Sequence, residues 1–251
     1  MPANIVEVTE LTKSYSKKVV KGISFAVKKG EVFGILGPNG AGKTTTLEMI
    51  ETIRDIDSGR VKVDGIDVQK DPQAVKNIIG VQQQTPAFMD KVKLKEHLEQ
   101  LASIYGEKVD AHALLKEVSL EEEAGTYFEN LSGGQKQRFS IAASLVHGPR
   151  VFFMDEPTTG LDPQARHHLW DLVRKTRAKG VTIILTTHYM EEAEELCDRV
   201  AIMDKGEIIA MDTPENLIKK LLKSGFKKTR HVEQANLEDV FINLTGKELR
   251  D

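Results

Sequence analysis

Gly37-Pro38-Asn39-Gly40-Ala41-Gly42-Lys43-Thr44 decides the fold class. It has the spacing G-x-x-x-x-G-K-[ST], which carries chemistry only between a strand and a helix. Both flanks comply. Val32-Phe33-Gly34-Ile35-Leu36 is a short apolar run bounded by glycines, the pattern of a strand covered on both faces, and Thr45-Thr46-Leu47-Glu48-Met49-Ile50 reads as a helix. In such a loop the glycines let successive backbone N–H groups converge on phosphate oxygens, and the helix N-terminus adds partial positive charge. Lys43 can then reach the terminal phosphates and the Thr44 hydroxyl can ligate Mg2+. The plainer alternative is a glycine-rich turn, which has no need of a Lys-Thr pair. Nucleotide binding is expected at Gly37, Pro38, Asn39, Gly40, Ala41, Gly42, Lys43, Thr44 and Thr45. Neither the base nor the reaction follows from the loop alone.

Downstream, the apolar run Val151-Phe152-Phe153-Met154 ends in Asp155 and Glu156, at the expected carboxyl edge of a parallel sheet, where open α/β folds bind their ligands. Adjacent strand residues point to opposite sides, so Asp155 suits Mg2+ and Glu156 can orient or deprotonate an attacking water. Taken alone, the pair is equally an ordinary solvated strand end; the phosphate loop upstream favours the functional reading.

The β-α-β alternation continues through a helix with Leu169, Leu172 and Val173 on one side and a buried strand over 181–185. Residues 200–203 and 207–210 read as a hairpin around Lys205-Gly206, and Pro214 opens a helix through Leu217 and Leu221. At the other end, alternation over 5–10 and 23–27 predicts half-buried antiparallel strands, Asp64-Gly65 a turn, and 78–81 a short strand. From Leu94 the apolar positions Leu94, Leu98, Leu101 and Tyr105, then Leu114, Leu115 and Val118, fall at helical spacing, with almost no strand signal before residue 150. The expected organisation is a core of residues 1–84 and 148–220, a helical insert over 85–147 and a tail over 221–251.

Composition narrows the function. At 251 residues the chain can build a full core without disulfide support. Lys and Arg total 35 against 38 Asp and Glu, a net charge of −3, so nucleic acid is not an expected partner. No apolar run approaches the ~20 residues of a membrane-spanning helix, so any work at a membrane needs a separate partner. The start lacks the blocks of a signal peptide and the one cysteine, Cys197, has no mate, which predicts a reducing cytoplasm.

Leu131-Ser132-Gly133-Gly134-Gln135, followed by the helix-like 136–145, is a second glycine-rich helix start, without a lysine of its own. One nucleotide does not need two cradles. This segment resembles the signature motif of ATP-binding cassette (ABC) proteins. With the loop and the acid pair, it makes the chain similar to an ABC transporter ATPase subunit over about the first 220 residues. The resemblance implies an α/β architecture: a P-loop NTPase (RecA-like) core with an antiparallel β subdomain and an inserted α-helical subdomain. It also implies ATP and Mg2+ as cofactors, hydrolysis to ADP and phosphate, and a head-to-tail dimer. In that dimer Ser132, Gly133 and Gly134 of one copy, with Gln135 beside them, cap the γ-phosphate of ATP held by Lys43 of the other.

Further roles follow from the same resemblance. Tyr15 lies where the family places an aromatic that stacks on adenine; the alternative is a half-buried tyrosine at a strand end. Gln84 matches the glutamine that approaches Mg2+ and the attacking water, although Gln83 stands where proline is frequent and Gln82, Gln83 and Gln84 run together, so Gln84 is favoured rather than fixed. Asp162 matches a loop that crosses the dimer interface, a plain helix N-cap before Pro163 being the alternative. His188 matches the switch histidine that contacts the γ-phosphate and helps hold Glu156. Catalysis is thus expected of Glu156, His188, Gln84 and Lys43, and Mg2+ coordination of Thr44, Gln84 and Asp155.

The implied partners are a second copy and a separate polytopic transmembrane permease, whose cytoplasmic helix would dock on the insert, holding the chain at the inner face of the cell membrane. Leu237-Glu238-Asp239-Val240-Phe241 and Leu244-Thr245-Gly246 resemble the ending of drug-resistance and sodium-extrusion exporters of the ABC-2 class; a terminal amphipathic helix is the plainer reading. A non-transport ABC ATPase acting on ribosomes or DNA is the alternative, though such proteins pair two cassettes or insert long coiled coils. His97, His112, His147 and His231 read as structural or exposed, and His167-His168 diverge by ~100° around a helix and make no metal pair. Glu191, Glu192, Glu194, Glu195 and Asp198 read as a solvated face, as do Lys219, Lys220, Lys223, Lys227 and Lys228.

Overall fold

The alternating N-terminal segments form β1 (Asn4–Ser14) and β2 (Lys18–Lys28), paired antiparallel. The run around Gly34 forms β3 (Val32–Leu36), buried along its whole length, and the glycine loop passes from it into α1 (Lys43–Ile50). β4 (Ser58–Val63) pairs antiparallel with β1 and, through the Asp64-Gly65 turn, with β5 (Ile66–Asp67). The five-residue α2 (Pro72–Lys76), capped by Asp71, precedes β6 (Ile79–Gln82). The stretch read as helical holds α3 (Leu94–Ile104), α4 (Ala111–Glu117), a 3-10 turn at Phe128–Asn130, and α5 (Gly133–Ser144). Alternation then resumes with β7 (Val151–Asp155), α6 (Pro163–Ala178), β8 (Thr182–Thr187), α7 (Met190–Leu196), the hairpin of β9 (Arg199–Asp204) and β10 (Glu207–Asp212), and α8 (Pro214–Lys223). The structure, a computed structural model, describes residues 3–82, 88–226, 240 and 243–244. None of the described helices is long and apolar enough to cross a membrane.

Strand order positions the chemistry. The larger sheet runs β10-β9-β3-β8-β7-β6, with every pair parallel except β9–β10. Since β8 lies between β3 and β7, the loop after β3, the end of β8 and the acids ending β7 meet at one carboxyl edge. In register, Leu36 stands opposite Thr187, and Asp155 opposite Thr186.

Side-chain alternation divides the core between the two faces of this sheet. Val32 and Leu36 of β3, with Phe152 and Met154 of β7, join a cluster that holds Leu94, Leu98 and Phe139 of the helical stretch and Trp170 of α6. Phe33 and Ile35, with Val151 and Phe153, pack instead against Val6, Phe25 and Leu47. One apolar cluster therefore runs without a break from the parallel sheet into α3 and α5.

The acidic run after His188 departs from the solvated-face expectation. Glu192 is fully buried, because α7 turns it inward beneath Trp170, whose Nε1 donates to it at 3.4 Å. Burial pushes the Glu192 carboxyl above the ordinary range, against the pull of the Thr187, Thr158 and Trp170 hydrogen bonds. Asp198 is also engaged, accepting from the Val32 amide at 2.9 Å and from Arg177 at 2.7 Å. In the tail, Val240 is buried in the first cluster and Leu244 is exposed. Leu237, Phe241, Lys227, Lys228 and His231 lie outside the described residues, as do Gln83 and Gln84.

Candidate nucleotide site

Two loop glycines are sterically required. A Cβ at Gly37 would sit 2.1 Å from the Met203 carbonyl oxygen of β9. Gly42 caps α1 at φ 104°, where a Cβ would come within 2.9 Å of the Val19 carbonyl oxygen. The loop is thereby pressed between β2 and β9, and Lys43 follows it at the first position of α1, only 4% exposed. Its ammonium donates to the carbonyls of Gly37 at 2.8 Å and Pro38 at 3.3 Å, and lies 3.1 Å from Glu156 Oε1.

Across the sheet edge, Asp155 Oδ1 accepts from the Thr44 hydroxyl at 3.2 Å and from the Thr186 hydroxyl. Glu156 adopts φ 47°, a left-handed conformation that costs a non-glycine residue on the order of 1 kcal/mol. Its amide holds it there by donating to Thr186, to the carbonyl at 3.1 Å and to Oγ1 at 3.0 Å. The carboxyl then faces Lys43 on one side and His188 Nδ1, at 3.3 Å, on the other. Burial alone would raise its pKa, but Lys43, by charge and hydrogen bond, and then His188 outweigh burial and hold it below the ordinary value. Glu156 is accordingly an ionised acceptor at neutral pH, oriented by Lys43 and His188 and able to take a proton from water.

Thr44 and Asp155 bring hard oxygen donors to one point, the donor set of Mg2+. No group of three His, Cys, Asp or Glu side chains among the described residues could hold a metal by itself. A cation here would complete its shell with water and phosphate oxygens, the habit of Mg2+ in nucleotide sites.

The remaining predicted residues are arranged differently. Ser132 caps α5, accepting from the Gln135 amide at 3.3 Å while its own amide donates to Gln135 Oε1 at 2.9 Å. Gln135 Nε2 is further held by Glu123 at 2.7 Å. Gly133 faces open space. Asp162 is the N-cap of α6, accepting from Ala165 at 2.8 Å. Tyr15 is 51% exposed, with Arg54 and Lys13 at 5.4 and 5.9 Å from its ring centroid. No hydrogen bond or ion pair among the described residues joins Tyr15, Ser132, Gly133, Gly134, Gln135 or Asp162 to Lys43, Thr44, Asp155 or His188. Gln82, the one described glutamine of the triplet, is buried at the end of β6, and neither of its amide atoms is hydrogen-bonded among the described residues.

Two contributors escape the sequence reading. Thr186 fixes both acids, yet a threonine in an apolar run reads only as a strand former. Gln137 donates to the Pro157 carbonyl at 2.6 Å, tying the helix that Ser132 opens to the loop that carries Glu156. Its place one turn after Gly133 was the only available signal.

The family model described as ABC transporter matches residues 20–159, a span that holds the glycine loop, the 131–135 segment and the acid pair. The linearmycin resistance ATP-binding protein LnrL of Bacillus subtilis (strain 168) is 43% identical over 223 residues, covering 86% of this chain and 72% of its own length. The Nod factor export ATP-binding protein I of Burkholderia lata is 35% identical, with 100% of both chains covered. Among solved structures, an ATP-binding subunit of an ABC transporter superposes with a TM-score of 0.83 at 29% identity, covering 96% of this chain and 99% of that one. An ATP-binding cassette of an ABC transporter in its ADP conformation gives 0.78 at 26% identity, covering 88% and 95%. The fold, the phosphate loop with its paired acids and these likenesses agree: the chain belongs to the ABC transporter family, as a subunit that binds and hydrolyses ATP.

Proposed function

We propose that two copies of the chain meet head to tail with Mg-ATP between them, and that their closing and opening drives a separate polytopic permease at the cytoplasmic face of the membrane. The observation that carries this reading is the split among the site residues. Lys43, Thr44, Asp155, Glu156 and His188 are interlinked within one chain, whereas Ser132 opens a helix N-terminus whose Gly133 faces open space. A helix N-terminus is an anion site. Set against the γ-phosphate held by another copy, Ser132, Gly133, Gly134 and Gln135 would complete it, with Asp162 alongside and Tyr15 stacked on the adenine.

Thr44 and Asp155, with Gln84, would hold Mg2+, which supplies neutralisation of charge at the phosphate oxygens. Glu156 takes the proton of the attacking water. His188 holds the Glu156 carboxyl and reaches for the γ-phosphate, and Lys43 balances the charge between them. Once the γ-phosphate is lost, nothing bridges Lys43 of one copy to Ser132 of the other, and the dimer opens. The relatives named for linearmycin resistance and Nod factor export favour export as the coupled work, and disfavour action on ribosomes or DNA. The test is Glu156→Gln with Mg-ATP on a sizing column: it should bind ATP, fail to turn over and accumulate as a dimer. A monomer with normal turnover contradicts the proposal.

A further inference from the structure

α7 buries Met190, Ala193 and Leu196, and among them it also buries Glu192, which is wholly shielded from solvent. An apolar side chain there would fill the space without the penalty of taking a carboxyl out of water. The penalty is visible in the group itself: burial pushes the Glu192 carboxyl above its ordinary range and favours the neutral form. No ion pair offsets it among the described residues, since Arg166, the cation whose charge acts on it, pairs with Glu191 at 3.6 Å. A polar group kept where an apolar one would be more stable points to a task other than stability.

The neighbours of the carboxyl define that task. Trp170 Nε1 of α6 donates to Oε1 at 3.4 Å. The Thr158 and Thr187 hydroxyls stand against the same carboxyl, and both threonines are 1% exposed. Thr187 ends β8 immediately before His188. Its Oγ1 accepts from the Tyr189 amide at 3.0 Å and its carbonyl from the Gly37 amide at 3.3 Å, so its hydroxyl proton is left for Glu192. Thr158 lies two residues beyond Glu156, in the turn that leads to Asp162, where its carbonyl accepts from the Leu161 amide at 3.1 Å. The contact with Thr158 is looser than that with Trp170: Thr158 Oγ1 and Glu192 Oε2 are both buried, and neither closes a hydrogen bond of full geometry among the described residues. The carboxyl is the polar group placed to serve both hydroxyls.

Resting on the roles given above to Glu156 and His188, we propose that Glu192 is a positioning residue for ATP hydrolysis. Anchored by Trp170, it holds Thr158 behind Glu156 and Thr187 ahead of His188, and so keeps the proton acceptor and the histidine that reaches for the γ-phosphate in one relative placement. In its neutral form the carboxyl donates to Thr158 Oγ1 and accepts from Trp170 and Thr187. An amide offers the same two functions and an apolar chain offers neither.

The test measures turnover of Mg-ATP by the full chain as wild type, Glu192→Met, Glu192→Gln and Thr158→Val, with Glu156→Gln beside them. Glu192→Met fills the space without hydrogen-bonding groups of comparable strength. It should melt no lower than wild type and keep its KM for ATP, while kcat falls at least about tenfold, the loss expected when both hydroxyls lose their partner. Glu192→Gln should bring kcat back near the wild-type value, a rescue that a role in filling space would not require. Thr158→Val should lower kcat in the same selective way, and added to Glu192→Met it should change nothing further, because both remove one contact. Turnover of Glu192→Met or of Thr158→Val equal to wild type overturns the inference. So do a joint fall in kcat, ATP affinity and melting temperature that Glu192→Gln shares, and losses at positions 158 and 192 that multiply. Normal turnover by Glu156→Gln instead overturns the role given to Glu156, and the inference with it.

Discussion

The two glycine-rich helix starts of this chain are built alike and finished differently. At Gly42 the helix begins beside a closed set of partners, where Lys43, Glu156, His188, Asp155 and Thr44 satisfy one another within 3.1 to 3.3 Å. At Ser132 the helix is satisfied by its own capping box and by Glu123, and its glycine looks outward. The first carries charges that must be paired because they are buried; the second carries only backbone amides and a hydroxyl, which water can serve until an anion arrives. On the proposed head-to-tail reading, the contrast puts the chemistry in one region and the dependence on a second copy in the other.

Glu156→Gln should break the first region hardest, lowering phosphate release by about 10²–10⁴ while ATP binding persists, because it removes the proton acceptor and keeps the shape. Loss of binding in step with turnover would mean that Glu156 belongs to the cradle. Lys43→Ala comes next: truncating one partner of a buried charge pair costs about 2–5 kcal/mol, and here the loss should fall on ATP affinity, read by calorimetry. Ser132→Ala is milder. The lost cap is worth ~1 kcal/mol, and the variant should bind ATP as wild type does but dimerise less. If its ATP affinity falls instead, the two regions are not separate.

A further effect concerns pH. Burial, followed by the negative charges of Asp155 and Glu48, makes Glu51 keep its proton in the folded chain up to about pH 8, against 4.5 for the ordinary group. The folded state therefore binds the extra proton between these values, and stability falls as pH rises from 4.5 to 8. Thermal melts of Glu51→Gln should show a flatter profile over that window; an identical profile would remove the titration from Glu51.

Much of the first region is legible in sequence because its signals are local. The 37–44 spacing, the apolar run before it and the acids that end β7 each lie within a few residues, and Pro214 announces α8 in the same way. What is not legible depends on which element stands opposite. Glu192 belongs to a charge run that looks solvated until Trp170, 22 residues earlier, is placed over it. Thr186 gains its role only from standing opposite Asp155 in the sheet. Asp162 shows the converse limit: its N-cap is local and readable, whereas any reach to a second chain is not. The helical stretch is periodic in sequence, yet periodicity does not reveal that Leu94, Leu98 and Phe139 share one core with Phe152 and Trp170.

The most direct test of the divided site is complementation between two disabled chains, Lys43→Ala and Ser132→Arg. Each alone should be nearly inactive. Mixed, they can form a dimer in which one nucleotide meets an intact Lys43 from one copy and an intact Ser132 from the other, so turnover should reappear at a substantial fraction of wild type and should depend on the mixing ratio. Turnover that stays at the sum of the separate chains, at every ratio, would contradict the account.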